Sequence, residues 1–173
     1  MSNQVMENIL TRRSVRAFNE KLIPRETLDQ ILKAAIYAPS GMNRQTWQFT
    51  AIVNQDMIQG LAKLIEEALD RKGYNFYKAT TIVITSNEKN SRWAKEDNAC
   101  ALENMFLAAH SMGVGSVWIN QLQGICDQVE IRRFLHEVGV PDHHEVYGIA
   151  ALGYAEQEAL GQVDKKGIIK IVE

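Results

Sequence analysis

A chain of 173 residues that is 46% apolar and 23% charged has ordinary globular composition and can bury roughly 70% of its unfolded surface. Its net charge of −2 gives no general pull toward nucleic acid or a membrane surface. Its apolar runs fall far short of the roughly 18 residues of a membrane span, and its start, Met-Ser-Asn-Gln-Val-Met-Glu, has neither the basic nor the apolar region of a signal peptide.

In chain order, Val5, Met6, Ile9 and Leu10 predict a short first helix. Pro24 is expected at the first position of the second helix, whose stripe is Leu28, Ile31, Leu32, Ala35 and Ile36. Pro39-Ser40-Gly41 stops it, and Trp47 to Val53 reads as a strand. A third helix carries Met57, Leu61, Leu64, Ile65, Ala68 and Leu69 on one face and ends at Lys72-Gly73. Thr80 to Thr85, β-branched and apolar, reads as a buried strand. The longest helix runs from about Arg92 to Met112 and is apolar nearly all round its middle, so burial on most sides and cover by a partner subunit are expected. Gly113-Val114-Gly115 breaks to a strand over Ser116 to Ile119. A helix around Ile125 to Val138 and a strand from about Val146 to Gly153 follow. Ile168-Ile169-Lys170-Ile171-Val172 is a strand-like run in need of a partner sheet. The chain contains no repeat or linker, so a single domain over residues 1–173, an α+β fold with a mixed sheet and helices around it, is expected.

Three segments carry possible chemistry. Thr11-Arg12-Arg13-Ser14-Val15-Arg16 places three arginines within five residues, which repel unless they face water or an anion. They suit helix C-terminal carbonyls or a phosphate, whose oxygens match the planar guanidinium fork. Ala38-Pro39-Ser40-Gly41-Met42-Asn43-Arg44-Gln45-Thr46-Trp47-Gln48 reads as a polar turn, yet Asn43, Gln45 and Gln48 exceed what a turn requires. Amides can read the edge of a flat heterocycle, since each offers donor and acceptor. Gly113-Val114-Gly115-Ser116-Val117-Trp118 has Trp where a third dinucleotide-binding glycine would stand, and it follows a helix, so the Rossmann reading fails. His136-Glu137 and His144-Glu145 lack the second histidine of a zinc helix, and His143-His144 is expected to face solvent. Cys100 is expected in the core; it and Cys126 form no C-x-x-C and fit a reducing, cytoplasmic setting.

With these segments in this order the chain resembles the FMN-dependent nitroreductase family: R-R-S-x-R-x-F, then A-P-S-x-x-N-x-Q-x-W, then a long helix into G-x-G-S-x-W-I, over essentially the whole chain. The resemblance implies a mostly antiparallel central sheet and an intertwined homodimer whose C-terminal segment reaches the partner's sheet. It implies that Arg12, Arg13, Ser14 and Arg16 of one subunit bind FMN at its phosphate, ribityl chain and pyrimidine end. Pro39, Ser40, Asn43 and Gln45 of the other subunit would line the ring. Backbone around Trp118, Ile119 and Asn120 would face the reactive side, and Lys165 or Lys166 would return to the phosphate. The implied activity is NAD(P)H-dependent reduction of nitroaromatics, quinones or similar flat acceptors by ping-pong hydride transfer, with no side-chain catalyst. An FMN store, sensor or carrier without turnover is the alternative; a nucleic-acid role is disfavoured by the acidic balance. Thr46 stands where proline is frequent in the family, and the covering helical insertion of larger members is missing.

Overall fold

The structure, a computed structural model, describes residues 3–157 and 164–173. Its elements are α1 (Gln4–Thr11), α2 (Arg25–Ile36), β1 (Gln48–Ile52), α3 (Gln55–Leu69), β2 (Thr81–Glu88), α4 (Ala94–Ser111), β3 (Gly115–Ile119), α5 (Val129–Glu137) and β4 (His144–Gly153). Short 3-10 turns occupy Gly41–Asn43 and Phe76–Lys78.

The sheet has the order β1-β2-β4-β3, and every neighbouring pair is antiparallel. The expected mixed character is reduced to one isolated parallel bridge, Ser14 to Ser116, on the outer side of β3. Alternation along the strands divides the core between two faces. Ile82, Ile84, Ile149 and Ala151 pack with α3 and α5, whereas Val83, Ala150 and Leu152 pack with α4. Both faces of β2 and β4 are therefore covered, which is why their sequences read as nearly unbroken apolar runs.

Local chemistry sets the ends of the helices. The Asn3 side chain accepts from the backbone N–H of Val5 and Met6, and that of Asn54 accepts from Met57. Pro24 is the N-cap of α2 rather than its first helical residue, a shift of one position with the same cause. Gly113 adopts φ +72°, ending α4 and turning the chain into β3. Gly115 is needed for close approach, because a Cβ there would lie 2.8 Å from Val15 Cγ2.

Within the chain, α4 lies on β4, β3 and β2, and α2 and α1 pack against it. Several expectations are corrected. Cys100 is exposed, on the part of α4 that these elements leave open. His144 is buried as the first residue of β4, where its Nδ1 pairs with Ser86 Oγ at 3.1 Å; only His143 faces water. The segment before α5 is turns rather than helix, tied down by buried Leu122, Ile125 and Cys126. Residues 168–172 have no secondary structure, and Ile168, Ile169, Ile171 and Val172 stand in solvent.

Uncovered apolar surface collects on α1 (Val5, Met6, Ile9, Leu10), at Ile36 and Tyr37, at Met42 and on the tail. Patches of this kind mark interaction surfaces.

Gly148 fixes how closely α4 approaches the sheet, since a Cβ there would fall 2.7 Å from Leu102 Cδ1 and 2.8 Å from Trp118 Nε1. Gly148→Ala should therefore destabilise the fold by about 1–3 kcal/mol, the usual cost of overpacking. An unchanged urea midpoint would show that Leu102 and Trp118 give way freely.

Candidate functional site

Ser14 and Val15 run along the open side of β3, and Phe18 continues beside Ala155. Val15 N–H donates to Ser116 O at 2.9 Å, and Phe18 N–H to Tyr77 O at 3.3 Å. The bridge to Ser116 holds Ser14 beside β3, where it stays exposed. Arg16 is exposed; Arg12 and Arg13 are half-buried.

The arginines differ in their ties. Arg13 Nη1 donates to Leu10 O and Arg12 O, both at 2.9 Å, so this guanidinium serves the carbonyls at the end of α1, one of the two roles its position allowed. Arg12 Nε lies 3.8 Å from Glu103 on α4, a loose ion pair with an exposed carboxylate. Arg16 makes no ion pair among the described residues.

A cavity of about 370 Å³ opens here, lined among others by Thr11, Arg13, His110, Gly113, Gly115 and Ser116. His110, which sequence reasoning missed, closes it from the last turn of α4, with Nε2 2.8 Å from Thr11 Oγ1. Burial holds the imidazole below its ordinary pKa, and the charges of Arg12 and Arg13 push it the same way. The cavity thus joins a guanidinium, a neutral imidazole, hydroxyls and glycine backbone, a donor set suited to a phosphate-like anion.

The amide segment lies at the other end of α4. Gly41 N–H donates to Asp97 Oδ1 at 2.8 Å, in the first turns of that helix. Ser40 Oγ accepts from Gln45 N–H at 3.2 Å, and Asn43 Oδ1 accepts from Gln45 Nε2 at 2.7 Å. Pro39, Asn43 and Gln45 are exposed and Ser40 half-buried. Among the described residues, seven non-glycine residues have positive φ, and Met42, Asn43 and Gln45 are three of them. Left-handed backbone at such residues costs of order 1–3 kcal/mol each and concentrates where ligands are held. Gln48, singled out for its amide, does not join them: its Nε2 donates to Gly139 O and Thr50 Oγ1.

The two clusters are far apart within one chain. From Asp97 to His110, α4 rises about 20 Å at 1.5 Å per residue. Trp118 lies between them on the α4 face, packed on Phe106 at 6.4 Å between ring centroids and 42% exposed. The Ile119 side chain points to the opposite face and is buried with the α3–α5 core, so only its backbone is available to a ligand. Asn120 is exposed, its amide donating to Gln123 Oε1. Lys165 and Lys166 are exposed in the tail.

The model of the family described as "Nitroreductase family" matches residues 9–154. A protein of Archaeoglobus fulgidus, which bears the provisional name NADH dehydrogenase/NAD(P)H nitroreductase, is 32% identical over 160 residues, covering 90% of this chain and 87% of its own. A crystal structure of a nitroreductase with bound FMN from Bacteroides fragilis superposes with a TM-score of 0.94 at 45% identity, covering 99% of this chain and 100% of its own. Another nitroreductase with bound FMN, from Desulfitobacterium hafniense, gives 0.88 at 25% identity over 100% of both chains.

The His110 shift has a consequence for pH. Its folded pKa lies below the ordinary 6.5, so the unfolded chain takes the proton more readily. The stability it contributes is present above about pH 6.5 and is lost as pH falls below that value. Urea midpoints of ligand-free protein should drop between pH 7.5 and 5.5, and His110→Gln should remove part of the drop. Buried His144, lowered in the same direction, supplies another part. An identical drop in the variant would contradict the role given to His110.

Proposed function

The chain belongs to the nitroreductase family, and on that premise we propose that it is an FMN-dependent oxidoreductase whose two sites each draw on two copies of the chain. The observation that carries this reading is the separation of the clusters along α4. An anion-binding corner and a heterocycle-reading turn, some 20 Å apart in one chain, become neighbours when a second copy supplies the turn.

The residues present fit FMN. The phosphate belongs in the cavity beside Arg12 and Arg13, where donors converge and the carboxylate contact of Arg12, to Glu103, is loose. Ser14, exposed beside β3, offers a hydroxyl to the ribityl chain. Arg16 projects its charge toward the pyrimidine end, where it favours the added negative charge of the reduced ring. Ser40, Asn43 and Gln45 of the second copy supply hydroxyl, carbonyl and amide groups to the ring edge. Trp118 and the backbone through Asn120 border the reactive side, and Lys165 or Lys166 adds charge at the phosphate. When bound, FMN supplies hydride chemistry, accepting from NAD(P)H and passing electrons to a flat acceptor such as a nitroaromatic or quinone. The protein binds, orients and sets the charge around the ring, and no side-chain nucleophile is required.

The second copy also accounts for the open apolar surface. The outer side of β3 is partly occupied by Ser14 and Val15, and the outer edge of β1 (Gln48–Ile52) has no strand beside it among the described residues. Such an edge is a template for another strand. Residues 168–172, apolar and uncovered in their own chain, are the strand that fits it in the partner. Association would also cover the exposed stripe of α1.

Purified protein should show a flavin absorption spectrum or acquire one on titration with FMN. Arg12→Ala should weaken FMN affinity by about 10- to 100-fold, the loss expected for a charged hydrogen bond. Arg16→Ala should mainly lower the flavin reduction potential. A protein that binds no FMN would end this reading, and equal effects of both changes on both quantities would undo the division of roles.

A further inference from the structure

The turn at residues 42–45 is built from non-glycine residues held at φ values of 53° (Met42), 55° (Asn43) and 53° (Gln45). Backbone of this kind persists only where surrounding contacts over-determine it. Within the turn, Asn43 N–H donates to Ser40 O at 2.9 Å and Arg44 N–H to Gly41 O at 3.2 Å, and the bonds from Gln45 to Ser40 and Asn43 lie in exposed positions where water competes for them. The bonds at its two ends are made by groups buried in the core.

At the upstream end, Gly41 N–H donates to Asp97 Oδ1, and Asp97 is 4% exposed. The Trp93 ring presses on the same residue, since a Cβ at Gly41 would fall 2.5 Å from Trp93 Cγ. The Arg44 guanidinium sits over that ring at 5.6 Å from its centroid. At the downstream end, Thr46 Oγ1 donates to Asn87 Oδ1 at 2.7 Å. Asn87 is fully buried at the end of β2, and the same oxygen accepts Glu88 N–H at 2.9 Å, which fixes the amide's orientation. Strand β1 has its own ladder to β2, so the Thr46 bond is not what forms the strand. A proline at position 46 would restrict the backbone through its ring; threonine does not, and its hydroxyl provides the anchor instead.

We infer that Asp97 and Thr46 are positioning residues, acting through Gly41 and Asn87 to hold the 42–45 turn in its binding shape before a ligand arrives. The inference rests on the reading that Ser40, Asn43 and Gln45 border FMN in the partner's site. In that reading neither Asp97 nor Thr46 touches the flavin. Their effect is preorganisation: a turn that must be ordered on binding gives up affinity that a preset one keeps.

The test uses full-length Thr46→Val and Asp97→Ala, with Thr46→Ser and Asp97→Asn as variants that keep the hydroxyl and the accepting oxygen. FMN affinity is measured by fluorescence titration, and trypsin cleavage after exposed Arg44 is timed in flavin-free protein. Thr46→Val and Asp97→Ala should weaken FMN binding by up to about tenfold, the scale of one net hydrogen bond, and should speed cleavage at Arg44. Thr46→Ser and Asp97→Asn should restore both readouts, and they carry the comparison if either larger change prevents folding. Wild-type affinity and wild-type cleavage in folded Thr46→Val and Asp97→Ala would overturn the inference, as would failure of the conservative pair to restore either. Faster cleavage in a protein that never binds FMN would sustain the positioning role and overturn the FMN reading instead.

Discussion

The length of α4 is the constraint on which the rest of this structure depends. The helix is fixed on the sheet by Ala101, Leu102, Met105, Phe106 and Ala109, and α2 packs against it through Leu28, Ile31 and Ala35. As one continuous helix it holds Asp97 and His110 about 20 Å apart. One end carries Asp97 and through it the amide turn; the other carries His110 and through it the arginine corner. A rigid rod between two half-sites makes a shared site the economical arrangement, and the uncovered stripe of α1, the open edge of β1 and the apolar tail all lie on a chain that has surface left to bury.

Polar groups in the core serve the same arrangement. Asp97 and Asn87 are buried, and each turns an oxygen toward the segment at 41–46. Burying such groups is costly unless they are bonded, so their bonds to the turn secure their own place as well as its shape. At the opposite end of α4, His110 stays neutral between burial and two guanidiniums, which keeps a third positive charge from adding to the repulsion there.

Much of this was legible in the sequence where the signal is local. The stripe of α2, the β-branched run of β2 and the Gly113 break each follow from neighbours a few residues away, and each stands in the structure. The arginine and amide motifs were legible as chemistry, because clustered guanidiniums and surplus amides are unusual in any local setting. What could not be read depended on distant partners. Cys100 on an apolar helix is exposed because α2 and α1 cover other parts of that helix. His144 is buried because β2 pairs along β4 as far as His144 itself. Gln48 turned to Gly139 across the fold rather than to a ligand. Asp97 and Thr46 look like an ordinary first-turn acid and a turn hydroxyl until the fold brings Gly41 and Asn87 beside them, 56 and 41 residues away.

The central claim, a site built from two copies, is tested most directly by complementation. One variant would carry Arg12→Ala and Arg16→Ala, and a second Asn43→Ala and Gln45→Ala, so that each alone has lesions at every site. Co-expressed, the two should form mixed dimers in which one site combines both lesions and the other is intact. The account predicts recovery of tight FMN binding at one flavin per mixed dimer. Mixed dimers that bind no more tightly than either variant alone would contradict it.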